Sequence, residues 1–177
     1  MKQYVTMLRG INVGGQKKVS MQVLKETFAS LGYKNVQTYV QSGNVIFSTD
    51  AGVSSTKDQI EKEIRQTFGF DILVFIREKN QFANLVKKSP YKQKDESKLH
   101  VTFLSEEPAS IPLDEMNSAK SGAEEFSISG REVYLFCPNG YGITKLSNSF
   151  FEKKLKVAAT TRNWRTVNTL LDMLSKD

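Results

Sequence analysis

The chain has 177 residues, of which 39% are hydrophobic and 25% are charged, a composition that is typical of a folded globular protein and excludes a disordered chain. No apolar run approaches the roughly 20 residues that a membrane-spanning helix needs, and the N-terminus lacks the apolar core of a signal peptide, so we expect a cytoplasmic protein. The net charge of +6 favours an anionic partner, whereas the single cysteine, Cys137, excludes an intrachain disulfide and a multi-cysteine metal site.

The positive charge lies at the two ends of the chain. Residues 1–77 carry ten basic and six acidic residues, a net charge of +4. Residues 78–137 carry a net charge of −2, and residues 138–177 a net charge of +4. An anionic partner is therefore expected near the first or the last segment, although lysines on solvated helices produce the same pattern.

The first 77 residues predict the element order β-α-β-β-α-β. The expected elements are a strand at 4–8, a helix from Ser20 to Gly32, strands at 36–40 and 45–48 joined by a hairpin turn, a helix from Ser55 to Gly69, and a strand at 72–76. This order is the split βαβ pattern of ferredoxin-like folds.

The second half of the chain is less regular. It predicts a helix at 81–88, a strand at 99–104, a hairpin over 126–137, a helix from Ser147 or Ser149 to about 156, and a last helix after Arg162. The strands of the first half are apolar at both odd and even positions, which indicates a sheet covered on both faces. We therefore predict an α+β fold in which a ferredoxin-like βαββαβ subdomain, residues 1–77, is interlocked with a smaller α/β subdomain, residues 78–177, packed against the first sheet.

Chain direction predicts where the unusual residues meet. The loop after the first strand and the turn between the second and third strands follow strands that run the same way, so Arg9–Lys18 and Gln41–Asn44 are expected at one end of the sheet. The first helix begins there, with unpaired N–H groups and a positive dipole. Lys17 and Lys18 add charge and the glycines let backbone amides approach a ligand, so we predict an anion pocket.

Two further interpretations stay open at this point. Gly14-Gly15 and Gly43-Asn44 suit tight turns that need no ligand, and no Walker or dinucleotide glycine motif is present. The segment Thr160–Arg165 places two arginines at an expected helix start, where they suit phosphate or carboxylate. Equally, Thr161 or Asn163 caps that helix and binds nothing.

Acid–base machinery is sparse. His100 is the only histidine and lies in an expected strand, and no Ser-His-Asp arrangement or metal cluster is recognisable. Cys137 ends an apolar run and is expected to be a buried hydrophobe. We therefore identify no catalytic residue, metal site or cofactor, and the sequence leaves open whether the protein is an enzyme.

Three blocks of the sequence carry a family resemblance. They are Leu8–Gly15 (LRGINVGG), Tyr39–Val45 (YVQSGNV) and Thr160–Trp164 (TTRNW). Together they resemble a bacterial family classed as a domain of unknown function, number 1697, and the likeness spans essentially the whole chain. Ala158-Ala159 departs from a proline-containing stretch of some relatives.

The resemblance implies a small α+β protein with a ferredoxin-like portion, and it implies no activity. The motif residues that it carries over overlap the cluster expected from topology. With Lys17 added, the candidate ligand-binding residues are Arg9, Asn12, Gly14, Gly15, Lys17, Gln41, Ser42, Gly43, Asn44, Arg162 and Asn163.

The leading hypothesis is a pocket for a small anionic ligand, such as a phosphorylated one, formed by Arg9–Lys18 and Gln41–Asn44, with Arg162 and Asn163 as candidates to complete it. One alternative is RNA binding on the sheet, which the basic ends favour and the absence of an RNP1-like string disfavours. A second alternative is a protein-interaction or dimerisation module. The sequence fixes neither the ligand nor the oligomeric state.

Overall fold

The structure, a computed structural model, describes residues 1–176. In this range six α-helices and eight strands form an α+β protein with two four-stranded antiparallel sheets. The chain divides into two compact units, Met1–Asn84 together with the segment from Leu170 onward, and Leu85–Thr169. No helix in the described range has both the length and the apolarity needed to cross a membrane.

The first unit contains the element order β-α-β-β-α-β. Its elements are β1 (Lys2–Leu8), α1 (Met21–Ser30), β2 (Lys34–Tyr39), β3 (Asn44–Thr49), α2 (Val53–Phe68) and β4 (Val74–Glu78). The strands lie in the order β2-β3-β1-β4. β4 begins two residues later than the sequence pattern indicates, because the segment before it leaves α2 in an irregular conformation.

Helix α1 is delimited as the sequence predicts. The Ser20 side chain accepts a hydrogen bond from the Val23 N–H, which caps the start of the helix. Gly32 follows its end with a φ of 83°, a left-handed conformation in which glycine has no Cβ penalty. The Tyr33 ring then packs edge-on against Phe28, with centroids 6.1 Å apart.

Helix α2 begins earlier than predicted and uses no side-chain cap. Gly52, in an extended conformation, is its N-cap residue. The Ser55 hydroxyl, expected to cap the helix, instead donates to the Gly52 carbonyl oxygen at 3.0 Å. The end at Gly69 is as expected, with a φ of 79° and an N–H that donates to the Arg65 carbonyl.

The core of the first unit lies between its sheet and the helices α1 and α2. Its buried members include Tyr4, Leu8, Ile11, Leu24, Phe28, Phe47, Ile60, Ile64 and Val74. Every residue of β3 is buried, so both faces of the sheet are covered at this strand, in agreement with its apolar run, residues 45–47.

The second unit has its own sheet and core. Its strands lie in the order β6-β7-β5-β8. The division of the chain into two units falls within the helix α3 (Lys79–Lys87) and within the last helix, α6 (Trp164–Ser175). The other elements are β5 (Leu99–Leu104), α4 (Leu113–Ser118), β6 (Glu125–Ser129), β7 (Glu132–Phe136), α5 (Asn148–Leu155) and β8 (Ala159–Asn163). Ser147 caps α5 by accepting from the Phe150 N–H.

Candidate functional site

The glycine-rich segment after β1 forms a small hairpin, Asn12–Lys17, called the glycine hairpin below. The Asn12 N–H donates to the Lys17 carbonyl and the Gln16 N–H to the Val13 carbonyl, both at 3.1 Å. Gly14 and Gly15, at its tip, have φ values of 58° and 74°, as in a type I′ turn. A Cβ at either glycine would meet open space, so the turn conformation alone accounts for both.

The connection between β2 and β3 is a tight turn, residues 40–43, called the 40–43 turn below. The Gly43 N–H donates to the Val40 carbonyl at 3.3 Å. Asn44, fully buried, donates its amide to the Tyr39 carbonyl at 3.0 Å and to the Ser42 hydroxyl at 3.1 Å. The polar groups of Ser42 and Asn44 therefore help to hold the turn in shape.

The Asn12 side chain joins the glycine hairpin to the 40–43 turn. Its Nδ2 donates to the Gln41 carbonyl at 2.8 Å and to the Val19 carbonyl at 3.0 Å, and its Oδ1 accepts from the Val19 N–H at 2.9 Å. Asn12 has a φ of 54°, a left-handed value that asparagine tolerates better than most residues. One amide thus positions the two loops and the residue before the cap of α1.

Gly43 supplies the second contact between these segments. The Leu8 N–H donates to the Gly43 carbonyl at 2.8 Å. A Cβ built on Gly43 would lie only 2.4 Å from Cδ1 of Ile11, which is buried. The predicted meeting of Arg9–Lys18 with Gln41–Asn44 at one end of the sheet is therefore observed, and close packing requires the glycine at position 43.

An open cleft lies where these two loops meet the start of α1. It has a volume of about 460 Å³ and is lined by Asn12, Gly15, Lys18, Val19, Ser20 and Gln41. No acidic residue occupies the first turn of α1, residues 21–24, so no carboxylate there compensates the positive end of the helix dipole. The cleft thus combines a lysine, a helix start and amide groups, a set of donors that suits an anion.

A second cavity is lined by Lys17 of the glycine hairpin together with other residues of the first unit. It measures about 310 Å³ and is lined by Arg9, Lys17, Glu61, Asp71, Ile72 and Leu73. Lys17 donates its Nζ to the Asp71 carbonyl at 2.8 Å and lies 5.9 Å from the centre of the Phe70 ring. Arg9 and Lys17, both expected at the anion pocket, therefore line a cavity that also contains two carboxylates.

Arg162 and Asn163 lie in the second unit. They end β8, a strand that the sequence did not predict, and α6 begins directly afterwards at Trp164, as the helix start expected after Arg162 indicates. Arg162 is 7% exposed and donates Nη1 to the Thr160 hydroxyl at 3.0 Å and to the Thr161 carbonyl at 2.9 Å. Burial lowers its pKa to about 10, so the guanidinium stays charged at neutral pH.

The Asn163 side chain caps α6. Its Oδ1 accepts a hydrogen bond from the Thr166 N–H at 2.8 Å, three residues on. This is the alternative that the sequence left open for the segment, and it explains an asparagine here without a ligand.

The structure separates the predicted site residues into three groups. Asn12, Gly15 and Gln41 line the 460 Å³ cleft, whereas Arg9 and Lys17 line the 310 Å³ cavity. The remaining ones shape a turn, or lie in the second unit: Gly14, Ser42, Gly43, Asn44, Arg162 and Asn163.

Lys18, which the sequence predicts to add charge at the pocket, lines the cleft. Val19 and Ser20, which the sequence prediction of the pocket does not include, line it as well. The available signal was Ser20, recognisable as the cap of α1, because residues just before a cap lie beside the first helical turn.

The described residues that line the cleft include no histidine, cysteine or carboxylate. His100, in β5, stacks on the Tyr141 ring with centroids 4.7 Å apart, and burial lowers its pKa. Burial, together with the charge of Glu124, raises the pKa of Cys137 to about 11, so this thiol is not a thiolate at neutral pH. Within residues 1–176 no group of His, Cys, Asp and Glu is arranged to hold a metal ion.

Comparison with known proteins identifies the family of this chain. The model of the family described as "Protein of unknown function (DUF1697)" matches residues 1–134. The chain belongs to this family. The match includes the glycine hairpin, the 40–43 turn and both cavities, and it ends before the segment Thr160–Trp164.

One solved structure with the same fold is "The structure of conserved bacterial protein SP0830 from Streptococcus pneumoniae". It is 22% identical, and the match covers 98% of each chain with a TM-score of 0.71. At this identity the likeness shows a common fold. No curated protein matches the chain.

Proposed function

We propose that this DUF1697 protein binds a small anionic ligand in the 460 Å³ cleft between the glycine hairpin, the 40–43 turn and the start of α1. The observation that carries the proposal is the placement of Lys18, Gly15 and Ser20 around one opening at the positive end of a helix that has no acidic residue in its first turn. Helix N-termini bind anions through their unpaired N–H groups and dipole.

The residues of the cleft have two proposed roles: some contact the anion, and others hold neighbouring segments in position. Lys18 supplies the positive charge, and Gly15 removes side-chain bulk beside the opening. Asn12 cannot also serve as a main ligand contact, because its amide already holds Val19 and Gln41 in place. Asn12 is therefore a positioning residue, and phosphate or carboxylate would be bound by Lys18 and by backbone N–H groups.

The affinity should be modest. One exposed lysine–anion pair contributes about 0.2–1 kcal/mol and a helix dipole about 0.3–1 kcal/mol. Together these contributions reach only about 0.5–2 kcal/mol, so a small anion held by them should bind more weakly than the millimolar range, which corresponds to about 4 kcal/mol. Salt should weaken it, since the cleft is open to solvent.

Titration of inorganic phosphate, sulfate and acetate, followed by backbone amide NMR shifts, tests the proposal. We expect shifts concentrated at residues 18–22 and saturable with phosphate. Lys18→Gln should weaken phosphate binding about two- to fivefold, whereas Lys62→Gln, on the exposed face of α2, should leave it unchanged. Shifts spread over surface lysines, or equal effects of the two substitutions, would refute it.

We also infer that the first unit is ferredoxin-like. Its β-α-β-β-α-β order, its strand order β2-β3-β1-β4 and its two helices over one core support this assignment. The small-ligand proposal is favoured over RNA binding on this sheet because β3 is buried at every position, which leaves its residues unable to stack on bases.

A further inference from the structure

The chain contains a single asparagine–glycine pair, Asn139-Gly140, in the loop after β7. The Asn139 side chain is exposed, and its amide makes no hydrogen bond within residues 1–176. In such a pair the main-chain nitrogen of the glycine attacks the preceding side-chain amide with little obstruction, because glycine has no Cβ. An accessible pair of this kind is a candidate site of spontaneous covalent modification.

The conformation of this loop requires the glycine. Gly140 has a φ of 99° and a ψ of 144°, a combination that residues with a Cβ rarely adopt. A side chain at this position would therefore strain the backbone between β7 and the segment that follows it. The fold thus keeps a glycine after Asn139, and with it the reactive pair.

A tight turn, residues 137–140, protects the nitrogen that would react. The Gly140 N–H donates to the Cys137 carbonyl at 3.0 Å. Cys137 is fully buried, and its own N–H donates to the Lys98 carbonyl at 2.9 Å, which holds the start of this 137–140 turn beside β5. The ring of Pro138 fixes the next φ at about −65°. A nitrogen attacks only after it gives up its proton, so the attack requires the 137–140 turn to open.

We infer that Asn139 is a deamidation site whose rate is set by opening of the 137–140 turn. The Gly140 nitrogen forms a bond to Cγ of Asn139, the bond between Cγ and Nδ2 breaks, and Nδ2 leaves as ammonia with the proton that Gly140 gives up. Water then opens the resulting succinimide ring at either of its carbonyl carbons, which leaves aspartate or isoaspartate at position 139. Water is the only co-reactant.

The product changes the segment that follows the turn. Tyr141 comes directly after Gly140, and its ring stacks on the His100 ring with centroids 4.7 Å apart. Isoaspartate lengthens the main chain by one carbon ahead of Tyr141, which disturbs both the turn and the stack. The isoaspartate form, separated by ion exchange, should therefore unfold at a lower urea concentration than the parent chain.

Timed incubation of the full chain at mildly alkaline pH, with mass spectrometry of proteolytic fragments, measures the reaction. Asn139 should be deamidated before Asn117 and Asn148, which precede serines, lie in α4 and α5, and serve as internal controls. The rate at Asn139 should rise about two- to tenfold when guanidinium chloride unfolds the chain, which is the factor that one net backbone hydrogen bond supplies.

A matched pair of variants tests whether the turn controls the rate. Pro138→Gly frees the φ within the turn and leaves the reacting pair intact, so deamidation of the folded protein should become about two- to fivefold faster, with no change in guanidinium chloride. Pro108→Gly, in the irregular segment between β5 and α4, is the control and should keep the wild-type rate.

Each contrary result overturns a separate part of the inference. Equal rates at Asn139 in the folded and unfolded chain, or a wild-type rate in folded Pro138→Gly, would show that the turn does not control the reaction. Earlier deamidation of Asn117 or Asn148 in the folded protein would show that the site lies elsewhere. An unfolded chain that stays intact at Asn139 would remove the site altogether.

Discussion

Replacing Gly43 by alanine tests whether packing alone requires a glycine in this family motif. The new Cβ would lie 2.4 Å from Cδ1 of Ile11 and 3.2 Å from Cβ of Leu8, on a backbone with a φ of 78°. A left-handed φ costs an L-residue about 1–2 kcal/mol, and overpacking a core costs about 1–3 kcal/mol. Gly43→Ala should therefore lower the free energy of unfolding by about 2–5 kcal/mol, out of the roughly 5–15 kcal/mol of a typical domain.

Urea unfolding followed by circular dichroism measures this loss, and Gly32→Ala provides the matched control. Gly32 has a similar φ of 83°, but a Cβ there would meet open space. Its substitution should cost only the conformational term of about 1–2 kcal/mol. The difference between the two variants isolates the packing contribution at Gly43.

A double-mutant cycle then identifies the atom responsible. Ile11→Val removes Cδ1, the atom that the new methyl group would overlap. The cost of combining Gly43→Ala with Ile11→Val should fall short of the sum of the single costs by about 1 kcal/mol or more, because the second change makes room for the first. Strict additivity, or a cost of Gly43→Ala equal to that of Gly32→Ala, would refute the packing argument.

Substitutions at three further positions probe the loops beside the cleft and the second unit, each by urea unfolding. Asn12→Ala should lose about 1–3 kcal/mol of unfolding free energy, and Asn12→Gly, which tolerates the φ of 54°, should lose less; equal losses would mean that the hydrogen bonds contribute everything. Val40→Asn should raise the free energy of unfolding by up to about 1 kcal/mol, since asparagine tolerates a φ of 51° better than valine; a loss would contradict this. Because burial lowers the pKa of His100, the unfolded chain binds the proton more readily, and stability should fall as the pH drops from 7 to 5 through the unfolded pKa of about 6.5. His100→Gln should reduce that fall, and an unchanged pH dependence would show that other groups cause it.

The sequence predicts the first unit well because its signals are local. Ser20, Gly32 and Gly69 mark helix ends through capping and left-handed φ values, and each does so in the structure. The predicted start of α2 at Ser55 is wrong. The N-cap residue is Gly52, which has no side chain to mark it in the sequence, and Ser55 lies inside the first turn of the helix.

The last strand, β8, could not be predicted in the same way. Its residues Ala159–Asn163 are short, polar and followed directly by α6, so no alternation of apolar side chains marks them. Only pairing with β5, about 60 residues earlier in the chain, makes them a strand. The local pattern therefore predicted the helix that follows, which begins at Trp164, and missed the strand, which depends on a long-range ladder.

The candidate site was predictable as a place and not as a set of contacts. The direction of the strands was enough to predict that the glycine hairpin and the 40–43 turn meet at one end of the sheet. It could not show that the Asn12 amide is occupied by backbone groups, or that Lys17 and Lys18, adjacent in sequence, line different cavities. Those outcomes depend on side-chain direction, which topology does not specify.

Left-handed backbone conformations in the glycine hairpin and the 40–43 turn help to separate residues that the fold explains from residues that it does not explain. Asn12, Lys17 and Val40 all have left-handed φ values. Asparagine tolerates a left-handed φ at position 12. The Lys17 carbonyl accepts a hydrogen bond from the Asn12 N–H, and the Lys17 Nζ donates one to the Asp71 carbonyl, so the fold accounts for both conformations. Val40 is β-branched and 45% exposed, and its conformation costs stability that an asparagine would restore. If Val40→Asn raises the free energy of unfolding, the fold does not require the valine and its conformation is a cost that the first unit tolerates. If the substitution lowers the free energy of unfolding, contacts of the Val40 side chain outweigh the strain of its φ.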